Sequence, residues 1–352
     1  MNSTSIYQTV QRYRTLRTHR IYALPIVILM PHSACNCRCV MCDIWKGNHH
    51  LKQLSEQDVE KLLVALKKFG SQQVVMSGGE ALLHGNFFRL CELLRKEGIS
   101  ISLLSTGIAL KKNAEQIARL VQDVVVSVDG DEEVHDLIRN IPGAFNKLKQ
   151  GVDAIREWDE EFPLSSRTVI HRMNFRNWPG IIEAGKKLGL DRMSFLPADV
   201  SSHAFNREVL WTESRQHELL PEEQELDELK GVLEKIISEC SEDFSSGFIA
   251  ESPEKLWKIY EYYAAFYGRN PFPFKKCNAP WVSTVIEADG TVRPCFFHEA
   301  IGNIHQTPLE AILNSEKAKS FRKNLDMGTD PTCQRCVCSL HLPPRMNLKN
   351  PS

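Results

Sequence analysis

A chain of 352 residues exceeds one typical domain and points to about two. Its 42% hydrophobic and 25% charged residues are ordinary globular composition, and a net charge of −1 gives no footing for a nucleic-acid partner. Apolar stretches such as IYALPIVILM (21–30) fall short of the roughly 18 residues a membrane span needs, and no signal-peptide cleavage pattern follows the start, so a cytoplasmic protein is expected.

Residues 1–21 read as a basic helix. Arg12, Arg14, Arg17 and Arg20 interleave with Tyr13 and Leu16, and the first acidic residue is Asp43. This pattern suits either a membrane-surface or transit-type helix or, the reading preferred here, a helix covering the mouth or floor of the next domain. From residue 22 to 206, short β-rich runs alternate with helical patterns in six βα units of roughly 30 residues, which predicts a parallel sheet. The strand candidates are YALPIVILM (22–30), QQVVMSGG (72–79), ISISLLSTG (99–107), DVVVSVDG (123–130), SRTVIHRMN (166–174) and RMSFLPAD (192–199). They show little strict alternation, as expected when both faces are covered. Between them, the segment 55–70 opens on a capping box, Ser55 to Asp58, and closes on Gly70.

Residues 207–276 read as a helical linker: an acidic amphipathic helix, a Ser-rich break, and a helix whose aromatic stripe is Trp257, Tyr260 and Tyr263. A compact unit follows over 277–338, with a hairpin turning at Asp289-Gly290, one helix over TPLEAILNSEKAKSFRKNL and the knuckle TCQRCVC. The tail, 339–352, is expected to be frayed.

Eleven cysteines without a secretory signal are expected as thiols or metal ligands. Cys91 and Cys240 stand alone and suit packing. Cys35, Cys37, Cys39 and Cys42 form one group, and Cys277, Cys295, Cys333, Cys336 and Cys338 another. Ligands of parallel α/β folds gather at the carboxyl ends of strands. The first cysteine group, Ser77-Gly78-Gly79-Glu80, Ser105-Thr106-Gly107, Ser127-Val128-Asp129-Gly130, Met173-Asn174 and Pro197-Ala198-Asp199 all end predicted strands, so they share one candidate site. The spacing C-x3-C-x2-C of Cys35, Cys39 and Cys42 suits three irons of a [4Fe-4S] cube with the fourth iron open, whereas structural zinc normally takes four closed ligands. Gly78 and Gly79 would admit a close ligand, and Glu80 would offer acceptors to an ammonium-like group. A four-thiolate zinc site that recruits Cys37 is the bland alternative; otherwise Cys37 faces away.

This constellation resembles the radical S-adenosylmethionine (radical SAM) superfamily, with its C-x3-C-x2-C loop after the first strand of a partial (β/α)6 TIM barrel and a GGE motif after the second. The resemblance implies that Cys35, Cys39 and Cys42 hold a [4Fe-4S] cluster whose open iron is chelated by S-adenosyl-L-methionine. Reductive cleavage would give a 5′-deoxyadenosyl radical that abstracts hydrogen from substrate. Gly78, Gly79 and Glu80 would hold the methionine amino end, Ser127 would meet the ribose or carboxylate, and Arg139 would serve the carboxylate. Met41 stands where the family often has an aromatic residue.

In the second group, Cys277 and Cys295 give C-x17-C, and Cys333 and Cys336 give C-x2-C. On spacing alone, zinc and iron-sulfur are comparable. The segment from Cys277, with Asp289-Gly290, Pro294-Cys295 and Gly302-Asn303-Ile304, resembles the SPASM extension or its shorter twitch form. The resemblance implies one auxiliary [4Fe-4S] cluster on Cys277, Cys295, Cys333 and Cys336, with Cys338 able to replace Cys336.

An auxiliary cluster with four protein ligands would accept an electron from a substrate radical. The cysteine spacing resembles twitch-bearing aminocyclitol dehydrogenases, so oxidation of a sugar-like or polyol small molecule is expected, with a flavodoxin or ferredoxin as electron donor. A peptide-modifying maturase is the alternative, weighed down by the absence of a leader-recognition unit ahead of residue 22. A zinc-dependent interaction protein is the alternative of another class. Asp199 and His203, after strand six, are the candidate acid and base.

Overall fold

A computed structural model describes residues 6–346 and Leu348. Six strands, β1 (Ile26–Leu29), β2 (Gln73–Met76), β3 (Ser100–Ser105), β4 (Asp123–Ser127), β5 (Leu164–Ile170) and β6 (Arg192–Pro197), pair in parallel, each with its successor; all lie within the predicted runs except β5, which begins two residues before its run and ends at Ile170. Each interval between them holds at least one helix, including α2 (Glu56–Lys68), α3 (Phe87–Lys96), α4 (Leu110–Leu120), α5 (Glu132–Arg139), α6 (Ala144–Trp158) and α7 (Trp178–Lys187). The Ser55 hydroxyl accepts from the Asp58 N–H and the Asp58 carboxylate accepts from the Ser55 N–H, closing the capping box at the start of α2. Gly70, Gly98 and Gly189 follow α2, α3 and α7 with left-handed φ of 60°, 74° and 67°, ending each helix where a side chain would strain the turn.

The C-terminal hairpin is built onto this sheet. β7 (Ser283–Ile286) runs parallel to β1, with β8 (Thr291–Arg293) and β9 (Gly302–Asn303) antiparallel beyond it, so nine strands form one sheet in the order β6-β5-β4-β3-β2-β1-β7-β8-β9. At the β6 end, residues 248–250 bond the backbone of Met193. The fold is a partial (β/α)6 barrel continued by a small hairpin-and-helix unit.

The N-terminal helix α1 (Ile6–Thr18) covers the floor. Its buried Arg12 donates to the Met346 carbonyl at 2.7 Å and to Gln72, just before β2, at 2.9 Å. The tail is therefore pinned as far as Met346; residue 347, residues 349–352 and the first five residues lie outside those described. The single helix expected over 307–325 is two, Leu309–Leu313 and Glu316–Asn324. Asn314 breaks it because its side chain is bound elsewhere, accepting from the Ile21 N–H at 2.8 Å and donating to the Ile21 carbonyl at 3.1 Å. The aromatic helix (Pro253–Phe266) buries Tyr262 and Tyr263 completely. Both phenols bond the backbone of Ala198, and Tyr263 also donates to Ile170, so this helix fixes the carboxyl ends of β5 and β6.

Candidate iron-sulfur and substrate site

The loop after β1 is stitched in place on three sides. Arg38 N–H and Val40 N–H donate to Arg139 and Ile138 at the end of α5, Asn48 brackets the backbone of Cys35, and Glu80 N–H donates to the Ala34 carbonyl at 2.8 Å. Gly79 makes the last contact possible: a Cβ there would sit 2.2 Å from the Ala34 oxygen. Gly78 adopts φ 115°, the left-handed side that favours glycine. Both glycines line a cavity, and the side of Gly79 on which a Cβ would stand is filled by the cysteine loop.

That inner cavity, about 260 Å³, lies at the carboxyl ends of the strands. Cys35, Cys39 and Cys42 face it together with Ser127 and Arg139. Cys37 does not: its buried thiol donates to Cys39. That donation, with the Arg139 guanidinium 3.4 Å from the sulfur, pushes Cys39 down to about 6 against the opposing effect of burial. Burial pushes Cys35 and Cys42 up to about 12. Arg139 is itself held by an ion pair with buried Asp129, so its tie is to a cysteine as well as to the cavity.

Glu80, expected to offer acceptors to an ammonium group, is fully buried and turned from the cavity. Its Oε2 accepts from Ser105 Oγ, Thr106 N–H and Thr106 Oγ1 at 2.7–2.9 Å, and Oε1 accepts from Leu82 N–H. Burial raises its pKa although these donors oppose the shift. The carboxylate ties the end of β2 to the end of β3.

Asp199 reaches the inner cavity but is already engaged. Arg207 Nη1 donates to it at 2.6 Å and Ser202 Oγ at 2.5 Å, which leaves a paired carboxylate where a free base was expected. His203 is exposed and lines a second, outer cavity of about 850 Å³. Met30, Ile44, Gly78, Gly79, Phe205 and Phe296 border both spaces, so the outer cavity adjoins the inner one. Phe205 has φ 60°, an uncommon conformation for a bulky residue, and its ring stacks on Phe296 with centroids 6.3 Å apart.

A clamp over the cysteine loop is invisible to motif reading. Arg207 lies 3.8 Å over the Trp211 ring, Trp211 Nε1 donates to Asp43 at 2.7 Å, and Arg215 donates to the Val40 carbonyl. In the sequence Asp43 stands one residue past Cys42, and its partner Trp211 lies 168 residues on.

The second cysteine group packs beside the inner cavity. Backbone N–H groups of Phe297 and His298 donate to Cys295, and Cys336 Sγ donates to the Cys338 carbonyl at 2.9 Å. Of the five, Cys338 lines the inner cavity. The thiol spacing discriminates between metals. Tetrahedral zinc with sulfurs at ~2.3 Å brings ligand sulfurs to about 3.8 Å of one another. Among the described residues, the group with three ligand atoms within 4.8 Å is His298, Asp330 and Cys333; no three cysteines come that close.

A family model described as the radical SAM superfamily matches residues 29–194, and one described as an iron-sulfur cluster-binding domain, SPASM, matches 277–337. The chain belongs to the radical SAM superfamily. Its cofactors are S-adenosylmethionine and iron-sulfur clusters. Among curated relatives of this radical SAM protein, the Fe-coproporphyrin III synthase of Methanosarcina barkeri is 24% identical over 330 residues, covering 89% of this chain and 80% of that protein. The PqqA peptide cyclase of Bradyrhizobium diazoefficiens is 24% identical over 294 residues, covering 81% and 70%. Among solved structures, Streptococcus suis SuiB bound to S-adenosylmethionine superposes with TM-score 0.62 at 13% identity, over 93% of this chain and 75% of that one. The anSMEcpe complex with AdoMet and Cp18Cys peptide gives 0.62 at 19%, over 89% and 88%. These likenesses support the fold. No helix among the described residues is long and apolar enough to cross a membrane.

Proposed function

We propose that this radical SAM protein modifies a peptide, presenting one side chain at a time to the inner cavity. The observation that carries the reading is the pair of adjoining spaces. An outer cavity of about 850 Å³ exceeds what a single sugar ring needs, while the inner cavity of about 260 Å³ admits one projecting group beside the cofactor. The named peptide cyclase and the peptide-bound structural neighbour lean the same way, so the polyol oxidation expected from cysteine spacing yields to this alternative. Cys35, Cys39 and Cys42 would hold the first cluster and Cys277, Cys295, Cys333 and Cys336 the second. When bound, these groups supply one-electron chemistry: cleavage of S-adenosylmethionine to a 5′-deoxyadenosyl radical that takes hydrogen from substrate, and acceptance of an electron from the product side. The chain's own part is positional. Ser127 and Arg139 border the cofactor space, Glu80 locks the motif glycines to β3, and the Phe205–Phe296 pair narrows the passage that excludes bulk water.

A tetrapyrrole substrate is a second reading, favoured by the alignment with the Fe-coproporphyrin synthase along 330 residues. The test adds fractionated cell extract to reduced, reconstituted protein and measures 5′-deoxyadenosine. Stimulation should disappear after exhaustive proteolysis of the active fraction. Stimulation that survives proteolysis overturns the peptide reading, and survival in a fraction with porphyrin absorbance favours the second.

A further inference from the structure

The arginines bordering the two cavities differ in one respect. Arg139 pairs with Asp129, Arg207 with Asp199 and Arg293 with Glu287. Arg167 does not pair: among the described residues no carboxylate oxygen stands within 4.0 Å of its guanidinium. It sits at the centre of β5, whose residues Leu164, Ser166, Thr168 and Ile170 are buried while Ser165, Arg167 and Val169 on the other face are not. That second face turns to the barrel lumen, since Arg167 and Val169 both line the inner cavity. In register beside Arg167 are Ser127 of β4 and Ser194 of β6. The Arg167 Nε–H donates to Ser194 Oγ at 3.4 Å, a long bond that leaves the terminal nitrogens free. Glu251, the acid that acts on Arg167 from a distance, is occupied by the Phe195 N–H at 3.1 Å. The apolar part of the cavity wall includes Leu104, Val125, Leu196, Phe297 and Val337.

A guanidinium is charged at every working pH, and its planar fork matches a carboxylate through two parallel N–H···O bonds. Asp199, the carboxylate that lines the same cavity, is taken by Arg207, so Arg167 has its strongest partner in whatever enters that space. We propose that Arg167 anchors the substrate through a carboxylate carried by the reacting group, either an Asp or Glu side chain of a peptide or the propionate arm of a macrocycle. This rests on the reading that the inner cavity receives substrate. Cys338 lines the same cavity, so an anchored carboxylate lies between the two cysteine groups.

The experiment uses the full chain, anaerobically reconstituted and saturated with S-adenosylmethionine, as wild type, Arg167→Gln and Arg167→Lys. One arm selects a random pentapeptide pool on immobilised protein; the other measures Kd for Fe-coproporphyrin III and for its methyl ester. In at least one arm, wild type should prefer the acid over its neutral counterpart, Glu over Gln or acid over ester, by about tenfold or more, the range for a charge-assisted pair. Arg167→Gln should erase that preference and Arg167→Lys should keep part of it, with iron content and the Kd for S-adenosylmethionine changed less than twofold. The arm that responds identifies the source of the carboxylate. Absence of an acid preference in both arms overturns the anchor, as does an Arg167→Gln variant whose loss falls on S-adenosylmethionine instead. An Arg167-dependent preference with no probe raising 5′-deoxyadenosine formation upholds the anchor and sinks the proposed function alone.

Discussion

The two cysteine groups use the same residue type to opposite ends. In the loop after β1, Cys35, Cys39 and Cys42 look into the inner cavity, and Cys37 is turned back to donate to Cys39. In the C-terminal group, Cys277, Cys295, Cys333 and Cys336 are withdrawn from that cavity and only Cys338 borders it. Thiol number therefore does not decide whether a centre is open to a ligand. The decision lies in which sulfurs border a void, and that is set by backbone ties: the α5 carbonyls that hold Arg38 and Val40 on one side, and the hairpin and knuckle on the other. An open centre suits a chelating cofactor, and a closed one suits electron transfer.

The largest effect should come from breaking the open centre. Cys35→Ala, Cys39→Ala or Cys42→Ala should each abolish cleavage of S-adenosylmethionine and lower iron from about eight to about four per chain, the content of one [4Fe-4S] unit. Cys37→Ser should keep about eight, because it leaves the three cavity-facing thiols intact and its hydroxyl still donates. Equal iron loss in Cys37→Ser would erase the distinction between three open thiols and four.

The closed centre gives the next test, because Cys336 and Cys338 compete for one position. Cys336→Ala should lose about four irons while Cys338→Ala keeps them, with S-adenosylmethionine cleavage surviving in both. The reverse result would make the cavity-lining thiol the ligand, and would put the second centre in direct reach of substrate.

Much of the barrel is legible in sequence because β-branched runs and glycine-ended helices are local signals: five of the six strands fall inside their predicted runs, and β5 overlaps its run but begins two residues earlier. The three cysteines that face the cavity carry their spacing in plain view. What stays hidden is who else binds each polar group. Glu80 reads as a ligand residue, yet its partners Ser105 and Thr106 lie 25 and 26 residues on. Asp199 reads as a base until Arg207 folds back on it, and Asn314 looks helical until Ile21, 293 residues away, claims its side chain. Such long-range partners leave no periodic trace. Arg167 is illegible for a related reason: a lone basic residue inside a strand run carries no motif.

A smaller effect concerns what supports the open centre. His135 Nδ1 accepts from the Asp129 N–H and His171 Nδ1 from the Met173 N–H, so both buried rings are neutral behind Arg139. Burial, with Arg139 adding to it, pushes each down to about 3. An unfolded chain protonates these rings near 6.5, so between 6.5 and 3 the unfolded state binds more protons and stability falls as pH falls. At pH 5.5 the two together should cost about 2–3 kcal/mol relative to pH 7.5. Urea denaturation across that interval measures it, and His171→Gln should remove about half of the slope. A flat profile in wild type would mean that the rings are already charged in the folded protein.

The smallest effect sharpens the closed centre. His298 is buried, with Nε2 3.4 Å from Cys333 Sγ and 3.9 Å from the Asp330 carboxylate, and its ring meets Phe321 edge-on at 4.9 Å. Burial holds its pKa below the usual histidine value, so the ring is neutral near pH 7; with Asp330 and a thiolate as its neighbours, Nε2 carries the proton. An N–H donated to a ligand sulfur withdraws electron density and favours the reduced state of whatever that sulfur binds. His298→Phe keeps an aromatic ring against Phe321 but deletes the donor, so the midpoint potential of the second centre should move in the negative direction. His298→Asn, which retains an N–H, should recover part of the shift. The titration is best followed by EPR in a Cys35→Ala background, where the first centre contributes no signal. An unchanged potential in His298→Phe would show that this histidine only fills space, and that the closed centre is tuned by backbone donors such as those at Cys277, Cys295 and Cys336.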